Sequence, residues 1–282
     1  MDSLSGRTIF MSGGSRGIGL AIAVRAARDG ARVALVAKTA EPHPKLPGTI
    51  YTAAEEIEKA GGDALPMVGD IRDVDMVEGA VASTVERFGG IDIVVNNASA
   101  INLAPMRDLP VKRFDLMQHI NARGTFVVTK ACLPHLRESS HAHVLTLSPP
   151  LSADRRWLAG HSAYTLSKMG MTILTLGVAA DEAKAGIAAN CLWPRTIIAT
   201  AAVQNLLGGD EAMARARTPE IVADAAHAIL LRDPRSCTGN AFIDDEVLFE
   251  AGVTDLDRYA ASPDADLSLD IFVDGWPEGV PA

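Results

Sequence analysis

Arg7-Thr8-Ile9-Phe10-Met11-Ser12-Gly13-Gly14-Ser15-Arg16-Gly17-Ile18-Gly19 is the stretch from which the fold is read. Arg7 to Met11 form a short apolar run of strand length. A glycine-rich turn follows, then an alanine-rich run of helical period to Asp29, with Gly30 as its expected C-cap. A strand, a glycine turn and a helix that begins at the turn make a pyrophosphate site, because backbone N–H groups and the positive end of the helix dipole converge there. Glycines let the anion come close. The spacing, Gly13-x-x-x-Gly17-x-Gly19, differs from the Gly-x-Gly-x-x-Gly of the common dinucleotide fingerprint and marks a narrower class.

Outward from this stretch the alternation repeats. Strands are expected at Arg32–Ala37, Ala64–Val68, Ile91–Val95, Val144–Leu147, Ala188–Trp193 and Ala241–Ile243. Helices are expected over residues 51–60, 74–88, 111–136, 163–180 and 219–231. Such an order predicts an α/β fold: a Rossmann-type, doubly wound, mostly parallel seven-stranded sheet with helices on both faces. Residues 1–254 read as one domain, with a lid near 197–217 marked by Gly208-Gly209. Residues 255–282 read as an acidic, proline-containing tail. Its Phe272 and Trp276 argue for packing, on the domain or on a neighbouring subunit.

The 282 residues carry a net charge of −9, so no general basic surface exists for nucleic acid or anionic lipid, and any anion site must be local. Cys132, Cys191 and Cys237 are isolated from one another, which fits reduced thiols and a cytoplasmic setting. The N-terminus is too polar for a signal peptide and no apolar run reaches membrane-spanning length. His43, His141, His143 and His161 have no accompanying ligand cluster, so no metal is expected.

Chemistry-bearing residues fall at strand ends. After the second strand, Ala37-Lys38-Thr39 stands where an NAD-selective site carries a carboxylate. With Arg16 in the turn, Lys38 can pair with a 2′-phosphate, so NADP(H) is expected over NAD(H). Asp70 follows the third strand, where it can accept from an adenine amino group or cap the next helix. Asn96-Asn97 follows the fourth strand, at the crevice where strand order should reverse, and Asn121 lies in the middle of the expected helix 111–136. Ser148 ends the fifth strand. Tyr164 and Lys168 are four apart in a buried helix and so share a face. An ammonium about 4 Å from a phenol, at an effective dielectric near 20, favours the phenolate by about 4 kcal/mol, or about three pKa units. Such a phenol could exchange protons with an alcohol or carbonyl oxygen.

Ser12 to Gly19, Asp70-Ile71, Asn96-Asn97-Ala98, Asn121, Ser148 and Tyr164-x-x-x-Lys168 together resemble the short-chain dehydrogenase/reductase family, over essentially the whole chain. Ala37 to Pro44, Leu46 to Ile50, Leu147 to Leu151 and Trp193 to Thr196 are similar to its hydroxysteroid dehydrogenase-like branch. Some members there carry a C-terminal sterol carrier domain, which is not expected within these residues. The resemblance implies a tetrad of Asn121, Ser148, Tyr164 and Lys168. Tyr164 would be the acid/base, Ser148 would bind the substrate oxygen, Lys168 would hold the nicotinamide ribose and acidify Tyr164, and Asn121 would position a relay water. It further implies a cofactor held by Gly13, Ser15, Arg16, Gly17, Ile18, Gly19, Lys38, Thr39, Asp70, Ile71, Asn97, Ala98, Pro194 and Ile197. The implied activity is interconversion of a hydrophobic carbonyl compound and its alcohol, in a homodimer or homotetramer. The alternative is a catalytically silent cofactor-binding protein on the same fold. Ser99 and Arg195 depart from the family's usual glycines, and the interval from Ser148 to Tyr164 is long, with a loop over the substrate expected around 152–161.

Overall fold

The computed structural model describes residues 3–44, 46–263 and 266–276. The positions 264–265 and 277–282 of the expected tail lie outside the described residues. Seven parallel strands stand in the order β3-β2-β1-β4-β5-β6-β7, with β1 Thr8–Ser12, β2 Arg32–Ala37, β3 Asp63–Val68, β4 Ile93–Asn96, β5 His143–Leu147, β6 Ala188–Trp193 and β7 Ala241–Ile243. The expected doubly wound α/β sheet is therefore present. Strand order reverses between β1 and β4, which is where a ligand crevice opens in such sheets.

Alternation along the strands supplies both faces of the core. In β1, Ile9 and Met11 join one apolar cluster and Phe10 the other; in β2, Val33 and Leu35 separate from Ala34 and Val36 in the same way. The first cluster is closed by helices α1 (Gly17–Ala27), α2 (Ile50–Lys59), α9 (Glu220–Leu230) and α10 (Asp244–Glu250). The second is closed by α3 (Val74–Phe88), α5 (Ala122–Leu136) and α7 (Ser162–Asp181). Pro66 lies in β3 without disrupting the sheet because β3 is an edge strand.

Three elements differ from expectation. The long helix 111–136 is broken at Asn121 into α4 (Val111–Ile120) and α5, because the Asn121 side chain is drawn into bonds with a neighbouring loop. The loop expected over the substrate contains a short helix α6 (Arg155–Leu158), capped by the Asp154 carboxylate accepting from the Arg156 N–H at 2.8 Å. The segment expected as a lid holds a π-helical turn, Val203–Leu207, and the short α8 (Gly209–Ala214), separated by Gly208 at φ +140°.

Candidate active site

The turn after β1 is locked to the end of β4. Asn97 Nδ2 donates to the Gly13 carbonyl at 2.7 Å, and the Ala98 N–H donates to Ser12 Oγ at 3.3 Å. Gly13 has φ +78°, and a Cβ there would stand 2.7 Å from the Ala98 Cα; one on Gly19 would lie 2.5 Å from Asn97 Nδ2. Two strand ends can approach this closely only across glycine. The N-terminus of α1 has no side-chain cap and no acidic residue in its first turn, so its free N–H groups face the crevice. These features fit a dinucleotide pyrophosphate.

A groove of about 680 Å³ runs from this turn, lined by Gly13, Ser15, Arg16, Gly17, Ile18, Lys38, Thr39, Asp70, Ile71, Asn97 and Ala98 among others. Gly19 supports it from beneath Asn97. Arg16 is fixed at its mouth, donating from Nε to the Pro47 carbonyl and from Nη2 to the Gly48 carbonyl, each at 3.0 Å. Lys38 Nζ pairs with Asp70 at 3.4 Å, and Arg72 grips the same carboxylate by its fork, at 2.6 Å for the Nη2 contact. Arg72 first, through its hydrogen bonds, and Lys38 after it hold the Asp70 carboxyl well below the usual carboxylate range. Asp73, not Asp70, caps α3, accepting from the Met76 N–H at 3.2 Å.

The tetrad residues lie in the adjoining interior. On α7, Tyr164, Ser167, Lys168, Met171, Thr172 and Thr175 form one buried face, while Leu166 and Ile173 face outward. Ser148 is fully buried, and its hydroxyl accepts from Thr172 Oγ1 at 2.9 Å. Asn121 holds the loop after β4: its Oδ1 accepts from the Ala100 N–H at 2.7 Å, and its Nδ2 donates to the Ala100 carbonyl at 3.0 Å and to Ser167 Oγ at 2.9 Å. Its main-chain carbonyl accepts from the Thr125 N–H at 3.1 Å, so the groups expected to position a relay water are engaged within the protein.

Lys168 is buried against the end of β5. Its Nζ donates to the Leu147 carbonyl at 2.6 Å and lies 5.0 Å from the centre of the Trp193 ring. Burial pushes its pKa down to about 7, with the nearby Asp270 carboxylate opposing. Burial likewise pushes the Tyr164 phenol up, reinforced by Asp270, and Tyr164 is only 5% exposed. This direction is opposite to the expected acidification, and burial is its first cause.

What covers Tyr164 is the tail. The Ile197 N–H, expected to meet the cofactor, donates instead to the Ser268 carbonyl at 3.0 Å, and the Asp270 N–H donates to the Arg195 carbonyl at 2.8 Å. Trp193 Nε1 donates to the Ile271 carbonyl at 2.8 Å. Neither Pro194 nor Ile197 lines the groove. Arg195, standing for the usual glycine, is buried against Asp245 at 2.8 Å, meets Glu246, and donates to the Gly275 carbonyl at 2.7 Å. Between these anchors Phe272 enters a slot walled by Tyr164, Trp157, His161 and Trp193, whose ring centres lie 5.8–6.2 Å from its own. Sequence reasoning missed Asp270, Phe272 and Trp193 as site residues. The one available signal was the apolar Ile271-Phe272-Val273 inside an otherwise acidic tail.

Among the described residues no group of three or more His, Cys, Asp or Glu is placed to hold a metal ion, and no helix is long and apolar enough to cross a membrane. The His141 and His143 rings lie 4.5 Å apart between centres, tilted by 56°, with His141 Nε2 2.7 Å from the Leu230 carbonyl.

A parallel sheet with its crevice at the β1–β4 reversal, a glycine turn and an uncapped helix define a dinucleotide-binding protein of the Rossmann class. Residues 7–209 match the short chain dehydrogenase family. The chain is 53% identical to hydroxysteroid dehydrogenase-like protein 2 of Xenopus tropicalis and 51% identical to that of Homo sapiens, each over 98% of this chain and 66% of the relative. It therefore spans about two thirds of the length of these relatives. A solved short chain dehydrogenase from Mycobacterium thermoresistibile superposes with a TM-score of 0.93 at 60% identity, covering 98% of this chain and 99% of that one. A dehydrogenase/reductase from Sinorhizobium meliloti 1021 gives 0.72 at 34% identity, over 86% and 94%. The chain belongs to the short-chain dehydrogenase/reductase family of oxidoreductases, which use nicotinamide cofactors.

Proposed function

We propose that this chain interconverts a hydrophobic carbonyl compound and its alcohol with NADP(H), using Tyr164 as the acid/base. The observation that carries the reading is the shared buried face of α7, with Tyr164, Lys168 and the Ser148-binding Thr172 on it, beside a groove built for a dinucleotide. In reduction the Tyr164 hydroxyl gives its proton to the substrate oxygen as charge develops there, and in oxidation the phenolate takes it back. Burial keeps the phenol in the protonated form that reduction needs. Ser148 steadies the substrate oxygen, and Lys168, poised near neutrality, returns a proton to the phenolate. Gly13, Gly17 and Asn97 in the groove would hold a dinucleotide, whose nicotinamide would supply or accept the hydride.

Arg16 and Lys38 at the groove's outer end support NADP(H) over NAD(H), since no carboxylate follows β2 to meet a free ribose hydroxyl. We further assign a single domain over 1–254 with its lid near 197–217, a tail over 255–282, a cytoplasmic setting, and a homodimer or homotetramer. A second reading, a cofactor-binding scaffold without turnover, draws support from the burial of Tyr164 under Phe272. A panel of hydrophobic ketones and alcohols, assayed with NADPH and NADP⁺ beside direct titration of NADPH, separates the two. Turnover of any member supports the enzyme, and tight NADPH binding without turnover supports the scaffold.

A further inference from the structure

We propose that the ring of Phe272 fills the substrate subsite, and that the substrate is an uncharged carbonyl compound bearing an aromatic or conjugated ring, which binds by taking that ring's place. This rests on the reading of Tyr164 as acid/base and adds the class of substrate.

The slot is shaped for a flat ring. Phe272 stacks on Tyr164 with an interplanar angle of 25°, while Trp157, His161 and Trp193 meet it edge-on at 61–63°. Both geometries are those that aromatic quadrupoles prefer, and a saturated chain satisfies neither. The slot's walls come from the segment between β5 and α7, from the first turn of α7 and from the end of β6, and none of the four wall residues lines the cofactor groove. The two spaces adjoin at Ala100 and Ile101, which line the groove and pack on the aromatic cluster.

Phe272 is not there by its own preference. It has φ +72°, alone in that region among the described non-glycine residues, a conformation that crowds a Cβ. Anchors on either side hold it: Ser268 on Ile197, Asp270 on Arg195 and Ile271 on Trp193 before it, Gly275 on Arg195 after it. A ligand ring that displaces it releases this strained residue. The charges facing the slot favour a neutral ligand. His161 presents an unpartnered Nε2 and is kept neutral by burial, and the Asp270 carboxyl stands beside Lys168 and Tyr164. An anionic ring would add charge next to the Asp270 carboxyl.

The test is calorimetric titration of the intact protein, saturated with NADP⁺, with propiophenone and with 3-octanone, comparing wild type, Phe272→Ala and Phe272→Trp. Emptying the slot in Phe272→Ala should tighten propiophenone by about tenfold and 3-octanone by less than about twofold, and Phe272→Trp should weaken propiophenone by about tenfold. Equal changes for the two ketones, no change in either variant, or no measurable propiophenone binding by Phe272→Ala overturns the proposal. Should Phe272→Ala fail to give a cooperative melt, Phe272→Leu and Phe272→Trp carry the same comparison. Ring-selective binding governed by residue 272 without turnover leaves the subsite standing and removes the acid/base reading. Turnover indifferent to residue 272 does the reverse.

Discussion

Asp270 lies where three buried ionisable groups meet. Burial, aided by Asp244 and opposed by the Ile271 N–H and Lys168, raises its carboxyl to about 7, and burial also lowers Lys168 to about 7. The two act on stability in opposite windows. Between about pH 4 and 7 the folded state holds the Asp270 proton more firmly than the unfolded chain, so stability falls as pH rises through that range. Between about pH 7 and 10 the unfolded chain holds the lysine proton more firmly, so that contribution rises with pH. Asp270→Asn keeps an oxygen for the Ile271 N–H, which Asp270 Oδ1 accepts at 2.7 Å, and removes the charge. Its melting temperature should gain on wild type between about pH 5 and pH 8; an offset that does not change with pH contradicts the assignment. None of this was legible from Tyr164-x-x-x-Lys168. The pentapeptide fixes a shared helix face, but the sign of the phenol's shift depends on what covers it, and the cover arrives from a segment about a hundred residues later in the chain.

At the level of elements, the junctions matter more than the strands. Alternation in β1 and β2, the glycine turn and the run of α7 were readable because each is a local pattern with a period. The break at Asn121 was not, since it follows from a long-range bond to Ala100. Nor was the role of Arg195, which staples α10 and the tail to the end of β6. Removing that guanidinium leaves Asp245, fully buried, with Arg217 at 3.8 Å as its one remaining ion-pair partner among the described residues. Arg195→Leu should therefore destabilise the protein by about 3–5 kcal/mol in chemical denaturation, well beyond the value for an exposed pair. A loss under about 1 kcal/mol would show that the staple is dispensable. The same logic at the glycine turn predicts that Gly13→Ala, which drives a Cβ to 2.7 Å from Ala98, costs about 1–3 kcal/mol and weakens NADPH binding in direct titration.

For the whole molecule, the doubly wound sheet was legible from element order, whereas assembly and cofactor choice depend on surfaces. Phe126 on α5 and Leu166 and Ile173 on α7 are 49%, 57% and 59% exposed, an apolar face that a second copy would cover. Sedimentation should find dimers or tetramers, and Leu166→Asp with Ile173→Asp should shift them to monomers; an unchanged mass in the double variant would place the interface elsewhere. At the groove, Lys38→Ala should raise the KM for NADPH about tenfold and leave that for NADH nearly unchanged. The central claim joins this groove to α7, and one comparison bears on it most directly: kcat/KM for a hydrophobic ketone with NADPH in wild type and in Tyr164→Phe, with NADPH affinity titrated in both. The account predicts a fall of about 10²–10⁴ in kcat/KM with NADPH affinity unchanged. Turnover that survives in Tyr164→Phe at near the wild-type rate would contradict it.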